Sequence, residues 1–221
     1  MTDPDFWPEA FLVDLDGVLV HSHGLHVRAY ELAFARHRLV LDDAVRAHIH
    51  GGVGRDAVLE AAGVEGDRAQ EVSEAKEAAF LELVRDGELE EEPGAGAFLE
   101  LLLEAGPPVV VVSNSATAQE CMEAMGWGER VRGVVGATDV TRLKPDPEPY
   151  RRGAGVAGAA PSRCYAFEDS ATGAASAREA GCWVAGVGQG VAPEQVDHWA
   201  PDLPALPLRR WLERPAERVE R

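Results

Sequence analysis

Phe11-Leu-Val-Asp-Leu-Asp-Gly-Val-Leu19 begins as an apolar run and then delivers two carboxylates. A continuous apolar run of this kind is the pattern of a strand buried on both faces, as in a parallel sheet. Asp14 stands between Val13 and Leu15, where an unpaired charge is costly to bury. In extended chain Asp14 and Asp16 also point the same way and repel each other. A divalent cation relieves both costs, and Gly17 lets the chain turn sharply just beyond. A strand that ends in an Asp-Gly turn, with Asp14 merely hydrogen-bonded, accounts for the same segment without a metal.

From Gly94 onward the chain alternates helix-like and short strand-like pieces. A helical run over Ala95–Glu104 ends at Ala105-Gly-Pro-Pro108. Val109-Val-Val-Val-Ser113 follows, a buried strand by its length and β-branching. Ala118–Met125 reads as a helix with Gly126 as its stop. Then come Gly133-Val-Val-Gly136, a helical stretch after Pro147, the strand Cys164–Phe167, a helix over Gly173–Ala180 and the strand Trp183–Val187. Strands and helices alternating at this spacing predict an α/β fold, a parallel sheet with helices on both faces. Ligands in such sheets bind beyond the carboxyl ends of the strands.

Between Gly17 and Pro93 the pattern changes. Leu25–Arg38, Asp43–His50, Arg55–Ala62 and Arg68–Arg85 read as helices, with no convincing strand between them. They form an all-helical insert of about 70 residues, small for a free-standing domain. The expected organisation is a discontinuous core over 1–19 and 93–221, with the insert over 20–92. The tail from Pro201, rich in Pro, Arg and Glu, is expected to be a loose extension or one docked helix.

Length and composition set limits. A chain of 221 residues can bury a substantial core, and no apolar run in it is long enough to span a bilayer. Met1-Thr-Asp-Pro-Asp-Phe-Trp-Pro8 has no basic region and is not expected to be a secretory signal. Cys121, Cys164 and Cys182 are odd in number and widely spaced, so they read as buried thiols in a reducing compartment. The cytoplasm is the expected location, and the expected state is a monomer or weak homodimer. A formal net charge of −17 argues against a nucleic-acid partner, whose binding depends on Lys and Arg. It leaves room for a small phosphorylated metabolite, which needs only local positive charge and a metal.

Further candidates fall at the ends of expected strands. Ser113-Asn114-Ser115 sits just ahead of a helix, where free N–H groups and the helix dipole favour phosphate; such residues also serve simply as caps. Lys144, in Arg142-Leu-Lys-Pro-Asp-Pro-Glu-Pro149, lies in a turn that Pro145 stiffens. A lone lysine is ordinarily solvated, but here it is presented where phosphate and carboxylates would need a counter-charge. Glu168-Asp169-Ser170 ends a second strand with a second acid pair. Two acid pairs at the ends of two strands of one sheet suit a hard cation, best Mg²⁺.

The order Asp14-x-Asp16-Gly17, Ser113, Lys144-Pro145, Glu168-Asp169 resembles the four motifs of the haloacid dehalogenase superfamily. The likeness is to its phosphatase and phosphomutase branch, with a Rossmann-like core and a helical cap inserted after the first motif. The resemblance implies Asp14 as the nucleophile that forms an aspartyl-phosphate and Asp16 as general acid/base. It implies that Ser113 and Lys144 hold the transferring phosphoryl oxygens, and that Asn114 contacts substrate. It implies Mg²⁺ held by Asp14, the backbone carbonyl of Asp16 and Asp169, with Glu168 acting through water or from behind. Dehalogenases of the superfamily lack the second acid, so Asp16 points away from dehalogenation.

Substrate choice in this family resides in the cap. His26, Gly52-Val-Gly-Arg55 and Lys76 are similar to cap features of the β-phosphoglucomutase-like subgroup, where the equivalents face the sugar and the distal phosphate. Each also reads as an ordinary helix or turn residue. After Ser113 the chain has Asn-Ser-Ala-Thr, where the mutases carry a Lys-Asn pair, so Ala116 brings no charge for a second phosphate. His21, His23 and His26 form a small histidine cluster, not expected to be a second metal site. The expectation is a Mg²⁺-dependent phosphatase acting on a sugar phosphate or similar metabolite. A sugar phosphomutase is the alternative, and an inactive metal- or metabolite-binding relative a further one.

Overall fold

The first apolar run forms β1 (Ala10–Val13), with all of its residues buried. It belongs to a computed structural model that describes residues 4–50 and 55–213. Beyond β1 the chain turns through Gly17 into β2 (Val20–His21) and enters four helices: α1 (His23–Arg36), α2 (Asp43–His50), α3 (Arg55–Ala61) and α4 (Gly66–Arg85). It returns through β3 (Glu90–Glu91), which lies beside β2 in a two-stranded ribbon. The chain divides into two compact units, residues 22–90 and the remainder.

The rest of the core unit follows in order. Its elements are α5 (Ala95–Ala105), β4 (Val109–Val112), α6 (Ala118–Ala124), β5 (Gly133–Val135), α7 (Glu148–Ala157), β6 (Cys164–Glu168), α8 (Ala171–Ala180), β7 (Trp183–Val187), β8 (His198–Ala200) and α9 (Leu208–Trp211). Among the described residues six strands pair in the order β5-β4-β1-β6-β7-β8, and every pairing is parallel. The register sets Val13 level with Val111 on one side and Phe167 on the other. Asp14, Ser113 and Glu168 therefore emerge at one edge of the sheet, although their strands are far apart in sequence.

Both faces of the sheet are covered. On one, Leu12, Val110, Val112, Ala166 and Val184 pack with Tyr150 and Ala154 of α7 and Ala174 and Ala177 of α8. On the other, Phe98 of α5 meets Phe167 edge to face, with ring centroids 4.9 Å apart. Burial of this kind contributes about 1.5–3 kcal/mol for each large side chain. The helix ends are locally encoded: α7 starts behind Pro147 and stops at Gly158, and α8 is capped by Ser170, whose side chain accepts from the Gly173 N–H. The three cysteines are free and buried. Burial raises the Cys164 thiol to about 11 and the Cys182 thiol to about 12.

The helical unit has its own core, in which Tyr30, Phe34, Val45, Ile49, Val58, Leu59 and Val72 pack together. No helix among the described residues is long and apolar enough to cross a membrane.

The α/β architecture expected from the alternating pattern is the one observed. The short β2 and β3 flank the four helices, and two residues each leave no alternating pattern to read. The strand β8 is equally hard to read, since His198-Trp-Ala200 is short, lacks aliphatic β-branched residues and runs into Pro201. The tail, through its described part, is the docked helix of the two options. Trp211 of α9 is fully buried, edge to face with Trp183 at 5.0 Å and with His198 at 4.7 Å.

Trp211→Ala is therefore expected to cost about 3–5 kcal/mol, lowering Tm by roughly 10 °C in a chain of this size. Thermal unfolding followed by circular dichroism measures it. A loss below about 1 kcal/mol would mean that α9 adds little to the core.

Candidate active site

Three strand ends supply the site. At the end of β1 the Asp14 N–H donates to the Phe167 carbonyl at 3.0 Å, which continues the ladder by one residue and holds Asp14 inside the sheet edge. The chain then turns, with Gly17 at φ 80° and its N–H donating to the Val20 carbonyl at 2.9 Å. A side chain at Gly17 would collide with the Asp169 carboxylate, so both conformation and space demand glycine there. From β4, the Ser113 hydroxyl donates to Asp16 Oδ2 at 3.1 Å and accepts from the Ser115 N–H at 2.9 Å.

Lys144 lies at the centre. Its side chain is buried, and its ammonium donates to Asp14 Oδ1 at 2.6 Å, Glu168 Oε1 at 2.7 Å and the Val112 carbonyl at 2.8 Å. An ammonium has three protons, so all are used. Burial alone opposes the charge, but Asp14 and Glu168 outweigh it and raise the Lys144 pKa. The Lys144–Pro145 bond is cis. The loop is tied at both ends: the Lys144 N–H donates to Asn114 Oδ1 at 2.9 Å, and Asn114 Nδ2 donates back to the Lys144 carbonyl at 3.2 Å. Glu148 closes the same loop by accepting from the Thr141 N–H at 2.8 Å and its hydroxyl at 2.7 Å, which lowers the Glu148 pKa.

At the end of β6 the Glu168 carboxylate is fully buried. Besides Lys144, Oε1 accepts from the Tyr150 hydroxyl at 2.6 Å, and Oε2 accepts from Ser170 at 3.2 Å. The carboxylate rests against Gly173 so closely that any side chain there would overlap it. Burial, then the Glu168 charge, raises the Tyr150 phenol, which keeps it a donor.

Asp14, Glu168 and Asp169 each bring one oxygen within 4.8 Å of the others. Burial first, then Glu168, raises the Asp14 pKa well above the ordinary range, with Asp169 and Asp16 adding less. The repulsion expected between Asp14 and Asp16 is thus a minor part of the cost. The turn at Gly17 carries Asp16 to Ser113, and the crowding comes from the neighbouring strand instead. Three carboxylates against one ammonium leave an excess of negative charge, and an all-oxygen donor set of this kind fits a hard dication such as Mg²⁺.

Asp14, Asp16, Ser113, Asn114, Lys144, Glu168 and Asp169 thus come together in the core unit. The helix after Ser113 begins at Ala118, where the sequence places it, and the Ser113 and Ser115 oxygens accept from the Ser115 and Thr117 N–H groups in the turn before it. Asn114 is occupied by the Lys144 backbone at both ends of its amide. In the helical unit, Lys76 Nζ is 3.0 Å from His26 Nδ1, and the His26 ring stacks on Phe80 at 4.3 Å. The Lys76 ammonium also lies over the Tyr30 and Phe80 rings at 5.4 and 5.2 Å. Arg55 pairs with Glu77 at 3.5 Å. Gly52–Gly54 lie outside the described residues, and His21 pairs with Glu92 at 2.8 Å. Among the described residues the histidines form no metal-binding cluster.

Sequence reasoning missed Tyr150 and Gly173. Gly173 offered no sign beyond being a glycine in the first turn of a helix. Tyr150 follows the Pro-rich turn and reads as an ordinary core aromatic.

The family profile described as haloacid dehalogenase-like hydrolase matches residues 8–181. Hexitol phosphatase A of Escherichia coli (strain K12) is 33% identical over 81% of this chain and 82% of its own length. Validoxylamine A 7'-phosphate phosphatase of Streptomyces hygroscopicus subsp. limoneus is 29% identical over 80% and 84%. The crystal structure of β-phosphoglucomutase from Clostridium difficile superposes with a TM-score of 0.81 at 19% identity, covering 97% of this chain and all of that one.

The acid cluster has a measurable consequence in metal-free protein. Burial, then Glu168, raises Asp169 to about 7, against about 3.9 in an unfolded chain. The proton kept by the folded state stabilises it at low pH, and this contribution is lost as pH rises through about 7. Stability in a chelator is expected to fall by about 1 kcal/mol between pH 6 and 8, with Asp14 acting in the same direction. Asp169→Asn should flatten that slope in urea unfolding. A wild-type stability that is level across this window would mean that Asp169 is already ionised below pH 6.

Proposed function

The chain belongs to the haloacid dehalogenase-like hydrolases, and from that membership we propose a Mg²⁺-dependent phosphatase that works through an aspartyl-phosphate on Asp14. The observation that carries the reading is the buried Lys144 ammonium held on Asp14 beside the Asp14–Glu168–Asp169 cluster. A carboxylate that attacks phosphorus must be ionised and benefits from adjacent positive charge, because phosphoryl transfer depends on position and charge neutralisation.

Asp14, Asp169 and the Asp16 backbone carbonyl would hold Mg²⁺, with Glu168 standing behind them. When bound, the ion supplies charge that keeps Asp14 ionised and offsets the phosphoryl oxygens. Asp14 attacks phosphorus, and its new O–P bond forms as the ester P–O bond breaks. Asp16 gives its proton to the leaving oxygen, which departs as an alcohol. Asp16 then takes a proton from water, whose oxygen attacks the same phosphorus, releasing inorganic phosphate and restoring the Asp14 carboxylate. The single Ser113 hydroxyl proton, held by Asp16 in this structure, turns to a phosphoryl oxygen when substrate binds. Lys144 neutralises another oxygen, and Asn114 keeps the Lys144 loop in register.

The substrate is read as a small sugar or polyol phosphate. Support comes from the relatives named hexitol phosphatase A and validoxylamine A 7'-phosphate phosphatase. Ala116 brings no cation for a second phosphate, which favours hydrolysis over mutase chemistry. Selection among such substrates is assigned to His26, Arg55 and Lys76 of the helical unit.

Phosphorus NMR with Mg²⁺ and a panel including hexitol phosphates and β-glucose 1-phosphate tests the reading. Free inorganic phosphate is expected, and migration from C1 to C6 without release would establish a mutase instead. Asp14→Asn should abolish turnover with an unchanged circular dichroism spectrum, and residual turnover above about 1% would remove Asp14 as nucleophile. Lys76→Ala should change the ranking of substrates in the same panel. An unaltered ranking would return Lys76 to a structural part.

A further inference from the structure

Tyr150 stands outside every motif and yet touches the most constrained group in the core unit. It occupies the first turn of α7 and is fully buried. Its hydroxyl donates to Glu168 Oε1 at 2.6 Å, the same oxygen that accepts from Lys144 at 2.7 Å. Its ring lies 5.0 Å from the Lys144 ammonium. Packing alone calls for no hydroxyl here, since phenylalanine would fill the same place among Leu12, Val112 and Ala166.

The consequence lies in how the ammonium is shared. Lys144 is suspended between two carboxylates, one on the nucleophile and one on Glu168, and moves towards whichever accepts more strongly. The Tyr150 proton occupies part of Oε1 and weakens its hold on the ammonium. Ser170 and Gly173 fix the rest of the carboxylate, so Glu168 cannot swing away to compensate. We propose that Tyr150 is a positioning residue that acts through Glu168 to bias Lys144 towards Asp14 and the phosphoryl group. Without the hydroxyl, Glu168 keeps the ammonium, and the charge that must neutralise the transferring oxygens sits out of place. The loss falls on the transition state, where that charge is needed most.

The inference rests on the reading of Asp14 as nucleophile, so Asp14→Asn is assayed first; turnover there would undo that reading rather than this one. Tyr150→Phe is expected to lower kcat by about tenfold with KM within about twofold, the signature of an interaction made in the transition state. In Glu168→Gln protein the same substitution should cost nothing further, because the group it acts through is gone. A wild-type kcat in Tyr150→Phe, a loss confined to KM, or additive losses in the double variant would each overturn the proposal.

If Tyr150→Phe does not fold, fluorine NMR of otherwise wild-type protein carrying 3-fluorotyrosine replaces it. The chain has three tyrosines, and Tyr30→Phe and Tyr165→Phe identify the Tyr150 signal by elimination. That signal should move when orthovanadate and Mg²⁺ are added. A stationary signal in protein that orthovanadate inhibits would overturn the proposal.

Discussion

A single ammonium, that of Lys144, is buried at the ends of three parallel strands, and the surrounding architecture answers to it. A charge taken out of water must be met by fixed partners at short range or the fold does not tolerate it. Asp14 and Glu168 meet it from β1 and β6, and the Val112 carbonyl meets it from β4. Those three strands must therefore be neighbours, in a register that sets their ends level. The loop that carries Lys144 must also be rigid, which accounts for Asn114 on its backbone, Glu148 across its ends and Ser176 on the Asp146 carbonyl. Replacing such a pair with apolar residues commonly leaves stability unchanged or improved. Stability alone therefore does not account for it, and the proposed chemistry does.

The same cluster is deliberately out of balance. One ammonium faces Asp14, Glu168 and Asp169, with Asp16 close by. The chain as a whole carries a formal −17, so a phosphorylated substrate of the proposed kind would approach against the overall field. Local charge must therefore do the attracting. On the proposed reading, this excess would favour a dication, and the dication would in turn offset the charge of a phosphoryl group. Burial first, and that excess second, raise the Asp14 and Asp169 pKa values.

Much of this is legible in the sequence because its decisive residues sit at strand ends. A strand buried on both faces announces itself by an unbroken apolar run, as Phe11–Val13 and Val109–Val112 do. The first polar residue after such a run is then a candidate for the site. Asp14, Ser113 and the Glu168-Asp169 pair all follow this rule, and Lys144 stands out by its prolines. What stayed hidden was partnership. Nothing local tells that Glu168 rather than Asp16 crowds Asp14, that the Asn114 amide is occupied by a backbone, or that the Tyr150 hydroxyl reaches a carboxylate. Those facts depend on which strands lie side by side. The short β2, β3 and β8 were hidden for a plainer reason, having too few residues to carry a period.

The strand order has a further bearing, on how the molecule comes into being. β1 is made first but lies between β4 and β6. The partners Asp14 and Lys144 are 130 residues apart, and Glu168 comes 24 residues later still. During synthesis β1 thus emerges with neither neighbour available, an apolar ribbon with two open edges and a stranded acid at its tip. Pairings of such long range are slow to form and expose chains to aggregation while they wait. The helices made directly after β1, with a hydrophobic core of their own, are composed of local contacts and can gather while the central strand is still unpaired. The price of building chemistry from distant strand ends is a nascent chain that stays incomplete until β6 arrives.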